Sequence, residues 1–181
     1  MEAQSDRDLI LRARRGESEA FGELVCRYQA SVFNVCYRLA GERREAEDLA
    51  QEAFIRAYER IHTFDAARPF GPWMRRVAAN VCLNRLSAQR PADAALDDER
   101  DAIQLPSAET DREVEEEMQR VRLALADLPP HYRVVIELRH YQELSYDEIA
   151  AALNIPLSDV KSHLFRARKL LAEKLKHDAS D

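Results

Sequence analysis

Glycine is scarce in this chain, with four in 181 residues. Runs of β-branched residues are few as well, and together these absences argue for an all-α protein. Long apolar stretches are missing, so no segment reaches the length a bilayer span requires. The N-terminus, "MEAQSDRDLILRARRGE", lacks the apolar core of a signal peptide. The expectation is a cytoplasmic protein with no direct membrane insertion. Cysteine is limited to Cys26, Cys36 and Cys82, widely spaced and set in apolar helical patterns. No Cys-x-x-Cys pair exists, which speaks against a zinc site made from them. Buried free thiols in a reducing compartment are the expectation, with a redox-sensing thiol as the alternative.

What is present is charge and helical periodicity. A third of the residues are charged and nearly half are hydrophobic, so the chain should fold. The formal net charge is -6, but it is unevenly spread. Residues 91–117 hold eleven acids and two arginines, and the remainder is slightly basic, with 25 Lys and Arg against 22 Asp and Glu. A chain divided this way can be acidic overall and bind a polyanion locally.

Ser5 with Asp8 resembles an N-cap for a helix that stops near Gly16. A second pattern runs from Ser18 to Gly41 and a third over 45–61. "HTFDAARPFGPW", with prolines at 69 and 72, predicts a loop, followed by a fourth helix from about Trp73 to Ser87. Trp73, Val77, Val81 and Leu86 form the apolar face of that helix. Residues 91–111 lack periodicity and are rich in Ala, Asp and Pro, which predicts a flexible acidic linker. Helix returns near Asp111, breaks at Pro129-Pro130 and resumes through "HYRVVIELRHYQ". The organisation is two small helical domains, 1–90 and 112–181, joined by a linker over 91–111.

The most informative stretch is "LSYDEIAAALNIPLSDVKSHLFRARKLL", residues 144–171. Ser145 and Glu148 form a capping box. Asn154 can turn left-handed, and Pro156 suits the start of the next helix. Helix, short turn and helix make a helix-turn-helix. On the second helix Val160, Leu164, Ala167 and Leu171 share the inner face. Ser158, Ser162, Phe165, Arg166 and Lys169 share the outer one, flanked by Lys161 and Arg168. In a major groove, Phe165 can pack on thymine methyls, Arg166 and Lys161 can reach phosphate or guanine, and the serines permit close approach.

Two further faces stand out. Over 45–61, Leu49, Ala50, Ala53, Phe54 and Ala57 point inward. Asp48, Gln51, Glu52, Ile55 and Glu59 gather opposite, an acidic face with an apolar centre that is either solvated or an interface to a basic partner. Over 64–90, Phe64, Phe70 and Trp73 interleave with Arg68, Arg75, Arg76 and Arg85, and with Asn80 and Asn84. Aromatic platforms beside cations and amides suit unstacked bases. The competing reading puts these rings, Trp73 above all, in the core.

"EAEDLAQEAFIRAYERIHTFD", "RPFGPWMRRVAANVCLNRL" and "LPPHYRVVIELRHYQELSYDEIAAALNIPLSDVKSHLFRARKLL", in this order and spacing, resemble a bacterial sigma factor of the extracytoplasmic-function (ECF) type. The resemblance implies a sigma region 2-like bundle and a sigma region 4-like helix-turn-helix. It implies docking on core RNA polymerase through Asp48, Gln51, Glu52 and Ile55. The promoter −10 element would be opened and read by Phe64, Arg68, Phe70, Trp73, Arg76, Asn80, Asn84 and Arg85. The −35 element would be read by Ser158, Lys161, Ser162, Phe165, Arg166 and Lys169. It further implies a cognate anti-sigma factor, no cofactor and no catalytic residue. His163 departs from the family, which commonly has Arg there, and the departure is expected to weaken one backbone contact.

Two other readings compete. Glu59-x-x-His62 and Glu137-x-x-His140 imitate the paired motifs of di-iron bundles, but both histidines fall in the last turn of their helices and in separate domains. A stand-alone helix-turn-helix regulator would leave the whole first domain without a purpose.

Overall fold

A computed structural model describes residues 4–89 and 112–177. The expected linker over 91–111 lies outside the described residues. Among those described, every regular element is a helix. The first group comprises α1 (Asp6–Arg14), α2 (Ser18–Ala40), α3 (Arg43–Arg60) and α4 (Phe70–Gln89). The second comprises α5 (Arg112–Ala126), α6 (Pro130–Ile136), α7 (Tyr146–Leu153) and α8 (Leu157–His177), and α6 continues into a π-helical turn, Glu137–Tyr141.

Local chemistry sets most of the boundaries. Ser5 Oγ accepts from the Asp8 amide at 3.2 Å and starts α1. Gly16, in the left-handed region at φ 88°, turns the chain into α2, and Gly41 at φ 82° ends α2. α4 begins at Phe70, three residues before the expected start. Pro72 is tolerated there because the amides of a first helical turn have no intrahelical partner to lose. Gly71 is required by proximity: a Cβ on it would stand 2.8 Å from the Tyr28 ring.

α2, α3 and α4 pack side by side, with α1 laid across α2. Leu24, Val32, Val35 and Leu39 of α2 meet Leu49, Ala53 and Ala57 of α3 and Met74, Ala78 and Val81 of α4, all buried. The inner face of α4 is carried by Phe70, Met74, Ala78, Ala79, Val81, Cys82 and Leu86. Trp73 and Val77, expected at its centre, are only half-buried at the edge. In the second group α6, α7 and part of α5 pack on α8, around Leu128, Val134, Leu138, Ile149, Val160 and Leu164.

The two groups are in contact. α4 meets α6 and α7, and α2 meets α5, α6 and the π turn. Arg38 of α2 donates from Nε and one terminal nitrogen to both carboxylate oxygens of Glu137, each at 2.8 Å. Glu137 is 2% exposed. The Arg38 guanidinium also lies 4.5 Å from the centre of the Tyr141 ring, so both ends of the π turn grip it. Arg133, also 2% exposed, donates to the Leu39 carbonyl at the end of α2 and to the Leu128 carbonyl. Asn80 Nδ2 donates to the Ala152 carbonyl near the end of α7 at 2.8 Å.

Cys36 and Cys82 are buried as expected, but Cys26 is exposed, a correction to the reading of three buried thiols. Cys26 sits beside the half-buried Val25 on α2, at a register that points away from the core. A hydrogen bond with Cys36, and then burial, push the Cys82 thiol well above its ordinary range. That pair is therefore held as unreactive thiols.

Candidate nucleic-acid interface

The helix-turn-helix forms as its sequence dictates. Ser145 Oγ accepts from the Glu148 amide at 3.3 Å, and the Glu148 carboxylate accepts from the Ser145 amide at 2.9 Å. The backbone and side-chain bonds from Ser145 hold the Glu148 carboxyl below its usual range. Asn154 ends α7 in the left-handed conformation, φ 53° and ψ 47°, with its amide donating to the Ala150 carbonyl. α8 then buries Val160, Leu164 and Ala167. Ser158, Lys161, Arg166, Arg168 and Lys169 are exposed on its outer side, and Ser162 is half-buried. Phe165 is 70% exposed at the centre of that cationic face. A ring this exposed, ringed by serines and cations, is the shape of a contact surface rather than a solvated one.

His163 does not join the outer face. Its ring lies 5.0 Å from that of His131 and 5.6 Å from that of Tyr132, both on α6. Its Nδ1 is buried without a hydrogen-bond partner. Burial lowers its pKa and Arg166 lowers it further, while Asp159 opposes them. His131 is lowered by burial, by His163 and by Arg166. The residue that departs from the family thus packs α8 on α6.

On α3 the inward set is buried as expected: Leu49, Ala50, Ala53, Phe54 and Ala57. Asp48, Gln51 and Glu59 are exposed, and Ile55 is 58% exposed. Glu52 is half-buried and accepts from Arg56 one turn along at 2.6 Å. Tyr58, overlooked in the sequence, extends the apolar centre: it is exposed, three residues from Ile55, with its ring 4.9 Å from that of Phe21. The i, i+3 spacing was the signal for it.

Residues 64–85 divide in two. Phe64 and Phe70 are 5% and 1% exposed, which corrects their reading as platforms for bases. Their rings are core: Phe64 meets Phe70 at 5.7 Å and Trp73 at 4.6 Å, and Phe70 meets Tyr28 at 5.3 Å. The half-buried Trp73 rests on both and alone of the three is part-open to solvent. Arg14 of α1 donates to the carbonyls of Ile61 and Phe64 and pins the turn leading into α4. No sequence pattern pointed to Arg14. Arg68, Asn84 and Arg85 are exposed, Arg76 is half-buried and bonds the Pro72 carbonyl, and Asn80 is held by Ala152. The Glu137 of the second E-x-x-H pair is occupied by Arg38, and among the described residues no three metal-ligating side chains converge. No described helix is long and apolar enough to cross a membrane.

Set against known proteins, residues 24–91 match Sigma-70 region 2 and residues 118–171 match Sigma-70, region 4. The chain is 35% identical to the ECF RNA polymerase sigma factor SigW of Bacillus subtilis (strain 168), over 92% of this chain and 95% of that protein. It is 34% identical to the ECF RNA polymerase sigma-E factor of Escherichia coli (strain K12), over 96% of each. Among solved structures, CnrH in complex with the cytosolic domain of CnrY shares the fold with a TM-score of 0.63 and 27% identity, over 97% of this chain and 99% of that one.

Proposed function

The chain belongs to the ECF family of RNA polymerase sigma factors and directs promoter-specific transcription initiation, and from that premise we propose how its faces divide the work. The outer face of α8, with Ser158, Lys161, Ser162, Phe165, Arg166 and Lys169, enters the major groove at the −35 element. Asp48, Gln51, Glu52 and Ile55 on α3 dock on a basic surface of core polymerase. Trp73, Arg68, Arg76, Asn80, Asn84 and Arg85 take the −10 element, where bases leave the stack at a cost of a few kcal/mol each. The units are residues 1–90 and 112–181, connected by 91–111. The chain makes and breaks no covalent bond itself, needs no cofactor, and leaves the chemistry to polymerase. Acting on core polymerase and DNA, it works in the cytoplasm. A cognate anti-sigma factor is its third partner, as the solved complex of CnrH with CnrY suggests by analogy.

One observation carries the −35 assignment: Phe165 stands exposed among cations, directly opposite Val160, Leu164 and Ala167. Run-off transcription with core polymerase on genomic fragments, followed by start-site mapping, tests the whole reading. The paired change Asp48→Lys and Glu52→Lys keeps the fold, since surface substitutions cost within ~0.5 kcal/mol. It abolishes copurification with core polymerase. Wild-type core binding in that variant rejects the docking face, and a chain that binds DNA but never polymerase is instead a stand-alone regulator.

A further inference from the structure

Asn80 is assigned above to the −10 element, yet its amide is already occupied. It donates at 2.8 Å to the carbonyl of Ala152, in the last turn of α7, the first helix of the helix-turn-helix. One domain of the chain therefore bonds to a base-reading group of the other. The contact is not an isolated graze. Beside it the two groups are joined by the Arg38–Glu137 pair, bidentate at 2.8 Å, and by the bond from Arg133 to the Leu39 carbonyl. Glu137 is almost fully buried, whereas Arg38 retains a third of its side-chain exposure. Burial pulls the Arg38 pKa down, but the bond to Glu137 and its charge outweigh that, and the net shift is upward. A desolvated carboxylate of this kind holds its partner strongly, because losing the partner leaves a buried charge unpaired.

We propose that the free chain masks its own −10 reading face: α7 covers Asn80, and the Arg38–Glu137 pair is the latch that keeps the two domains closed. The proposal rests on the assignment of Asn80 to base reading. Promoter binding then requires that the latch open, and the apparent affinity of the free chain for single-stranded DNA is lowered by the fraction that stays closed. If closed outweighs open about ten to one, freeing the latch raises that affinity about tenfold. A partner that engages either half of the latch shifts the same equilibrium.

The test uses the full chain and reads closure separately from DNA binding. Arg38→Glu sets two carboxylates against each other on a helix surface that tolerates the change. Glu137→Arg sets two guanidinium groups together, and the double exchange restores an opposite pair. Circular dichroism verifies helicity, and if Glu137→Arg does not fold, Arg38→Glu and Arg38→Ala carry the comparison. Closure is read by energy transfer between dyes on the exposed Cys26 and on an Ala172→Cys thiol, both outside the latch. DNA binding is read by anisotropy of a fluorescein-labelled single strand with a six-base randomised window. The expected result is loss of energy transfer and a several-fold gain in DNA affinity in each single variant, with both reversed in the exchange. Unchanged energy transfer in the folded single variants overturns the latch. Opening with unchanged, measurable DNA binding overturns the masking alone. Opening with no DNA binding in any variant overturns the base-reading assignment and the masking with it.

Discussion

Phe165 and Phe70 are the same side chain with opposite roles, one exposed in the midst of cations and the other sealed beneath Tyr28 and Trp73. The difference comes from which face of a helix each residue occupies. For α8 the cap, the turn and the periodicity fix that face, so its outer residues can be read from sequence alone. The stretch before α4 has no such frame, and its aromatic-cation interleaving suits a core and a base platform equally. Cys26 escaped the same way, one position off the buried stripe of α2. The most direct test at this scale is Arg166→Ala. Arg166 is exposed and makes no ion pair among the described residues, so its removal should leave the melting temperature unchanged. A bidentate contact to a base predicts a loss of ~1–3 kcal/mol that falls on one promoter position. A phosphate contact predicts a similar loss on all sequences and a salt slope lower by about one ion. Titrations of promoter duplexes at several salt concentrations separate the two, and unchanged binding would show the wrong face was chosen.

At the scale of elements, helix ends were legible wherever a capping side chain or a left-handed turn marks them, as at Ser5, Gly41, Ser145 and Asn154. Two features were not. Pro72 looked like a breaker because proline punctuates loops and first turns alike. The π turn has no composition of its own; the i→i+5 bond from the Gln142 amide to the Glu137 carbonyl exists because Arg38 draws both ends of the turn to itself. The packing of α8 on α6 makes a prediction with a sign. His131 and Tyr132 of α6 face His163, Asp159 and Arg166 of α8, and both histidines have pKa values below the ordinary 6.5. His140, lowered by burial and by Arg168 and Arg139, acts in the same direction. A group whose folded pKa is depressed lends stability that is full above its unfolded value and is lost as pH falls toward the folded one. Stability should therefore decline from about pH 6.5 downward, before carboxylates near 4.5 begin to protonate. Urea midpoints between pH 8 and pH 5 should show that slope, shallower in His163→Leu, which retains the bulk and removes the charge. A slope identical in the variant would clear His163 of any part in it.

Across the whole molecule, the two halves were each readable, but their joint was not. Arg38 and Arg133 look like surface cations in a helical pattern, Glu137 like half of a metal motif, and Asn80 like a base reader. Only the tertiary structure pairs Arg38 with Glu137 and places Arg133 under the end of α2. The buried apolar residues consequently run as one cluster through both halves, from Leu9 to Ala167. A continuous core predicts that the halves unfold together, because neither keeps its buried face covered once the other is lost. Calorimetry of the full chain should give one transition, with van't Hoff and calorimetric enthalpies in agreement. Arg133→Ala leaves the carbonyls of Leu39 and Leu128 without this donor, at a cost of ~1–3 kcal/mol for each buried group left unsatisfied. Part of that cost is relieved when the halves separate and water reaches Leu39. The variant should therefore melt in two steps, the sequence-predicted domains emerging as separate units. Two transitions in the wild-type chain would mean that the contact is too weak to couple them, and that the closed arrangement is a minor member of the free ensemble.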